Sequence, residues 1–185
     1  MCKKRCRWAE NVNELYTRYH DEQWGVPVRD DGELFEMLIL ESFHCGLSWL
    51  LVLTKREHFR AAFDGFDPHK MALYGEEKIS ELMENSGIIR NRRKIDAAVK
   101  NAAAFIRTQR EYGSFSNYIW SFTGGQTVKN TDDVMRTKSE LSEKVAKDMK
   151  KRGFAFMGSV TVYSYLQAVG VINDHETSCF RYNEV

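Results

Sequence analysis

The chain has 185 residues, 43% of them hydrophobic and 29% charged, which suits one domain with its own core and excludes a disordered protein. No apolar run is long enough to span a bilayer and the opening MCKKRCRW has no apolar stretch, so no membrane span or signal peptide is expected and the compartment is expected to be the cytoplasm. The net charge is only +1, so attraction to a polyanion must come from local clusters, and the four cysteines are expected as thiols or metal ligands rather than disulfides.

Near the N-terminus stand Cys6, Trp8 and then His20 within YHDEQWGVP. Tyr16, Tyr19 and Trp24, with Trp8 before them and Trp49 after, are dense around that polar string. Such density reads as core, or equally as stacking walls for a base extruded from a duplex. Asp30-x-x-Glu33 is a capping box before LFEMLIL. That helix runs into LESFHCGLSWL, where Glu41, His44 and Cys45 interrupt an apolar run. Half a metal site, a Cys/His catalytic pair and an acid behind an aromatic pocket are all open. Adjacent helical residues point about 100° apart, which argues against His44 and Cys45 as a base and nucleophile.

Ser48 is read as the cap of WLLVLTKREHFRAAF, and Asp67-Pro68 as a cap followed by proline in the first turn. Gly87, Gly113 and Gly153 stand where left-handed C-caps would sit. The clearest helix is KIDAAVKNAAAFIRTQREYG, with Ile95, Ala98, Val99, Ala102, Ala103 and Ile106 on one stripe. Thr123–Thr137 is polar and reads as the one long loop. Two basic clusters, RNRRK from Arg90 and KDMKKR from Lys147, are either solvated faces or polyanion contacts. The fold class expected is all-α, in a single domain over residues 1–185.

KKRGFAFMGSVTVYSYLQAVGVIND reads as a helix end, a hairpin from Gly153 through Phe156 to Gly158, and a second helix from Ser159. Glycines let a partner approach the backbone, and amides at a helix N-terminus suit phosphate. A hairpin of this kind either packs two helices or grips DNA through its backbone, and the adjoining basic run favours DNA. Further on, His175 and Cys179 are four residues apart, a spacing expected to place both on one helical face. Two ligands from each end of the chain would make a closed Cys2His2 site suited to structural zinc, formed by residues 1–25 and 170–185. By spacing alone Cys2 rivals Cys6, and four unrelated residues remain the alternative.

Taken together, RCRW, RYHDEQWGVPVRDDGELFEMLILE, GLSWLLVLTKRE, SGIIRNRRKI, RGFAFMGSVTVYSYLQAVGVINDH and the terminal H-x-x-x-C resemble the 3-methyladenine DNA glycosylase I family, bacterial alkylation-repair enzymes of the helix-hairpin-helix superfamily. The resemblance runs almost end to end and is weakest across Thr123–Thr137. It implies structural Zn2+ on Cys6, His20, His175 and Cys179, with Cys6 preferred over Cys2. It implies Glu41 as the base-recognising carboxylate and Trp49, Tyr19 and Trp8 as stacking walls, completed by Tyr16 and Trp24. Gly46 and Leu47 resemble the tip that probes the duplex, and Gly153, Phe156, Gly158 and Ser159 the phosphate grip. The implied reaction is hydrolysis of the N-glycosidic bond of 3-methyladenine in double-stranded DNA, without strand cleavage, by a nucleoid-associated monomer that releases free 3-methyladenine. A zinc-stapled DNA-binding module that has lost the chemistry is the alternative. His44 and Cys45 depart from the family pattern of glutamine and a small residue. His44 is expected to donate to backbone opposite, the alternative being a charge that repels a cationic base. Asp174 is expected to be electrostatic or structural.

Overall fold

A computed structural model describes residues 3–185; Cys2 lies outside them. The fold is mostly helical. In chain order the helices are α1 (Glu14–Glu22), α2 (Asp31–His44), α3 (Trp49–Thr54), α4 (Arg56–Ala62), α5 (Pro68–Met71), α6 (Glu76–Glu84), α7 (Arg92–Tyr112), α8 (Phe115–Ser121), α9 (Glu140–Lys151) and α10 (Ser159–Ala168). Short 3-10 turns cover Arg7–Ala9, Asp64–Phe66 and Phe180–Asn183. No helix among the described residues is long and apolar enough to cross a membrane.

Helices start where a polar side chain accepts from an amide that lacks a partner in the first turn. Asn13, Asp30, Ser48, Asp67 and Ser114 do this for α1, α2, α3, α5 and α8. Helix α2 lies at the centre, packed against α3, α7, α8 and α10. Leu34, Phe35, Leu38, Ile39, Leu40 and Phe43 are all fully buried, so beyond its charged first turns the helix buries residues on nearly every side, as an interior helix does. Two carboxylates lie on that stretch: Glu36, half-buried and paired with Arg56 and Arg60, and Glu41, which is itself buried.

Several elements differ from expectation, each for a local reason. The run after Ser48 breaks at Lys55 into α3 and α4, and the Lys55 ammonium donates to the Ser86 and Gly87 carbonyls. Gly113 and Gly153 are left-handed, but Gly87 is not: α6 stops at Glu84, and the Asn85 side chain turns the chain by accepting from the Gly87 amide. On α7, Ile95, Ala98 and Ala102 are buried, whereas Val99, Ala103 and Ile106 are only half-buried. The buried stripe is rotated onto Lys94, Asn101 and Thr108, because each of these polar groups has backbone to bind. Asn101, for example, both donates to and accepts from Ala155. The Thr123–Thr137 segment is not all loop, and the fold not wholly α: β1 (Val128–Lys129) pairs in parallel with β2 (Ile172–Asn173).

The stretch after α10 crosses the N-terminal part of the chain closely. Gly25 donates to the Gln167 carbonyl and Val28 to that of Val169. At Gly170, φ is +72°, and a Cβ there would lie 2.4 Å from the Val26 carbonyl carbon. Gly170→Ala therefore loses about 2–3 kcal/mol of stability, read as a lower urea midpoint at unchanged slope. An unchanged midpoint would show that this crossing relaxes freely.

Candidate active site and metal cluster

Between α1, α2, α3 and the C-terminal stretch lies a cavity of about 290 Å³. That is near the lower end for sites that enclose a small molecule. One side is formed by Trp8, Tyr16, Tyr19, Trp24 and Trp49, with Glu41 and His44 among them. Trp8 packs on both Tyr16 and Trp24 at 5.0 Å between ring centroids, and Tyr19 on Trp49 at 5.4 Å. The five aromatics singled out from the sequence thus line one cavity. A wall of this kind offers π faces to a flat ring and favours a positively charged one.

Glu41 is 3% exposed. Its Oε2 accepts from His44 Nδ1 at 3.0 Å. Burial pushes its carboxyl above the usual range, and the His44 contact opposes that rise. His44 does not donate to backbone opposite, as the sequence suggested. One helical turn separates it from Glu41, and the carboxylate is the nearer and stronger acceptor. Cys45 is exposed at the end of α2 and takes no part in a pair with His44.

The far wall comes from residues that the sequence reading did not select: Asn130, Asp133, Arg136, Ser164 and Gln167, with Asp174. Asp174 accepts from Tyr163 at 3.0 Å, from Gln167 at 2.5 Å and from Asn130. Asp133 accepts from both the amide and the hydroxyl of Thr177, which pins the polar segment over the cavity. For Asn130, Asp133 and Arg136 the only signal was a long polar stretch, and nothing in it says where it folds back; Ser164 and Gln167 are polar positions on α10 with no signal of their own.

Cys6 and His175, which also line the cavity, gather with His20 and Cys179; all four are buried, with one ligand atom from each lying within 4.8 Å of all the others. Cys6 Sγ is 3.4 Å from His175 Nδ1, and Cys179 Sγ is 3.5 Å from His20 Nε2 and 3.6 Å from His175 Nδ1. Tetrahedral bonds of about 2.3 Å to sulfur and 2.0 Å to nitrogen put those atoms about 3.5 Å apart, so the separations fit one ion. The outer nitrogens are held as well: His20 Nδ1 lies 2.8 Å from Asp21 Oδ1, and His175 Nε2 donates to the Trp24 carbonyl at 3.0 Å. These contacts aim the remaining lone pairs inward. Burial lowers the pKa of both histidines, that of His175 to about 4, leaving neutral imidazoles. Burial alone would keep the Cys6 thiol protonated, and a cation at the centre is what would stabilise its thiolate. His175 and Cys179 meet through a turn, closed by the Cys179 amide on the Glu176 carbonyl at 2.7 Å, and not through the helical face expected from their spacing.

The remaining candidates lie elsewhere. Gly46, at φ +79°, and Leu47, 38% exposed, form the turn between α2 and α3, between the cavity-lining His44 and Trp49. Gly153, Phe156, Gly158 and Ser159 belong to the α9–α10 hairpin, which with Lys147 and Lys150 borders a separate groove of about 570 Å³. There the left-handed residues are Gly153 and Phe156, while Gly158 is an ordinary N-cap. Neither basic cluster is wholly free for a polyanion. Arg152 is spent on Asp148 and Glu111, Arg92 on Glu76 and Asp96, and Lys94 is buried.

A family model described as methyladenine glycosylase matches residues 8–182. The chain is 42% identical over 182 residues to DNA-3-methyladenine glycosylase 1 of Escherichia coli, covering 97% of each. It superposes with a TM-score of 0.91 on a crystal structure of 3-methyladenine DNA glycosylase I at 44% identity, covering 96% of this chain and 98% of that one. It also superposes at 0.91 on a variant of 3-methyladenine DNA glycosylase I in complex with 3-methyladenine, at 35% identity, covering 96% and 97%.

Proposed function

The chain belongs to the methyladenine glycosylase family, and from that premise we propose that it is a single-domain DNA repair enzyme that hydrolyses the N-glycosidic bond of 3-methyladenine in duplex DNA. The observation that carries this reading is Glu41, a buried carboxylate inside a cavity walled by five aromatic side chains.

Methylation at N3 makes the base cationic and its glycosidic bond labile. The base leaves the stack and enters the cavity, which costs less for a damaged, poorly paired nucleotide than for a sound one. Trp8, Tyr16, Tyr19, Trp24 and Trp49 stack on it and favour the cation over neutral adenine. Glu41 accepts from the exocyclic amine, and its charge complements that of the lesion. The leaving group already carries positive charge, so little acid catalysis is needed. The sugar gains oxocarbenium character, water attacks it, and free 3-methyladenine departs. No lysine forms a Schiff base, and the strand stays whole.

Cys6, His20, His175 and Cys179 would hold a zinc ion and so tie the two ends of the chain together, a structural role, because four protein ligands would leave no open position for substrate. Asp174 acts electrostatically and as an anchor for Asn130. The hairpin from Gly153 through Phe156 and Gly158 to Ser159 grips phosphate, and Gly46-Leu47 enters the duplex. The enzyme works as a cytoplasmic monomer.

Incubation with methylated duplex DNA tests the reading: free 3-methyladenine appears and the strand is not cut. Binding without release would support a non-catalytic module instead. In the same assay Leu47→Ala lowers kcat/KM on duplex DNA about 5- to 10-fold, because the apolar wedge at the unstacked step is lost. Its binding of free 3-methyladenine, followed by tryptophan fluorescence, stays at the wild-type level. An equal loss in both measurements would place Leu47 in the cavity instead of at the duplex.

A further inference from the structure

We infer that His44 is a positioning residue that holds the Glu41 carboxylate in one orientation and in its charged form, and so sets the preference for a cationic base. This rests on the function proposed above. Among the described residues, His44 is the one hydrogen-bond partner of the Glu41 side chain, at 3.0 Å from Oε2. The other oxygen is left for the base.

The backbone carrying the imidazole is tied at three consecutive carbonyls. Lys94 Nζ donates to Phe43 O at 2.8 Å and Cys45 O at 2.7 Å, and the Leu47 amide donates to His44 O at 2.7 Å. The ring itself stands edge-on to Trp49, with centroids 5.4 Å apart and planes at 66°. The main chain is held, and the half-buried ring is oriented toward Glu41 by that hydrogen bond and the Trp49 edge contact.

Charge gives this contact its importance. A neutral Glu41 would lose its attraction for a cation and would present a donor to an amine. Burial drives the carboxyl toward that neutral form, and the His44 contact drives it back. Around Glu41, α1 supplies only the phenols of Tyr16 and Tyr19, whose ionisation burial also suppresses. Lys94, on α7, is committed to the two carbonyls. Arg7, Asp133, Arg136, Asp174, His175 and Glu176 border the same cavity without a hydrogen bond to Glu41 among the described residues.

The test compares wild type with His44→Phe, which keeps a ring and removes the donor, and His44→Gln, which restores a donor without a titrating group. Carbon-13 NMR of the labelled Glu41 carboxylate, in the DNA-free protein, reads its ionisation directly. His44→Phe moves that titration to higher pH, and His44→Gln reverses most of the movement. On methylated duplex DNA, His44→Phe lowers kcat/KM at neutral pH about 10-fold or more, and the acid limb of its pH profile follows the carboxylate upward. An unmoved Glu41 titration in His44→Phe overturns the inference even if the wild type is active. A wild type that releases no 3-methyladenine overturns the proposed function, while the NMR comparison still decides the role of His44.

Discussion

Glu41→Gln lowers kcat/KM for release of 3-methyladenine from duplex DNA about 100-fold. The substitution keeps the shape of the side chain and one acceptor oxygen, and removes only the negative charge. A preorganised charge facing a developing or resident cation in a water-poor cavity is worth about 10²–10³ in rate. Glu41→Ala loses more, because it also leaves the amine unmatched. Stability moves the other way. The folded pKa of Glu41 lies above its unfolded value, so at neutral pH the buried anion costs stability that is recovered as pH falls through that window. Glu41→Gln removes the cost, and its Tm at neutral pH equals or exceeds that of the wild type. Metal content is unchanged, since Glu41 is not among the clustered ligands. Wild-type rates in Glu41→Gln would remove the carboxylate from the proposed mechanism. Loss of metal would show that cavity and cluster are one site.

Cys179→Ser lowers Tm by about 10–20 °C. A metal held by Cys6, His20, His175 and Cys179 would close nearly the whole chain, and its loss would cost about 5 kcal/mol. In a protein of this size each kcal/mol moves Tm by about 2–4 °C. Exhaustive chelation of the wild type gives the same fall, and chelation of Cys179→Ser adds little. Activity declines only as the fold loosens, because the cluster has no position open to substrate. Elemental analysis of the wild type is expected to give one zinc per chain. A chelated wild type that melts as before, with zinc shown to be gone, contradicts the structural role. Loss of activity with no change in Tm would move the metal into the chemistry.

Much of the scaffold was legible because it depends on neighbours in sequence. Asp30, Ser48 and Asp67 cap helices in the places their spacing indicated, since a cap bonds an amide two or three residues on. The interior character of α2 was visible as an apolar run, and Glu41 stood out in it. The α7 stripe was legible only in part. Lys94 and Asn101 are buried because they bind carbonyls and amides some fifty residues away, and hydropathy periodicity carries no record of such partners. The turn at Gly87 was misread because Asn85, and not a left-handed glycine, ends that segment.

The candidate site divides along the same line. Residue types at short spacing, such as His175 with Cys179 or the aromatics around YHDEQWG, were enough to nominate ligands and walls. Sequence by itself determined the helical class, the side-chain caps at Asp30, Ser48 and Asp67, the acid within an apolar helix and the residue types that could hold a metal, all of which follow from local chemistry. Only the tertiary structure decided that His44 turns to Glu41, that a turn brings His175 to Cys179, and that Asn130, Asp133, Arg136 and Gln167 close the far wall. The first two are short-range, but rotamer and turn geometry are chosen by the surrounding packing; the third depends on which chain segments meet after the core forms, and a parallel pairing such as Val128 with Ile172 is set by that packing and not by any signal in the strands themselves.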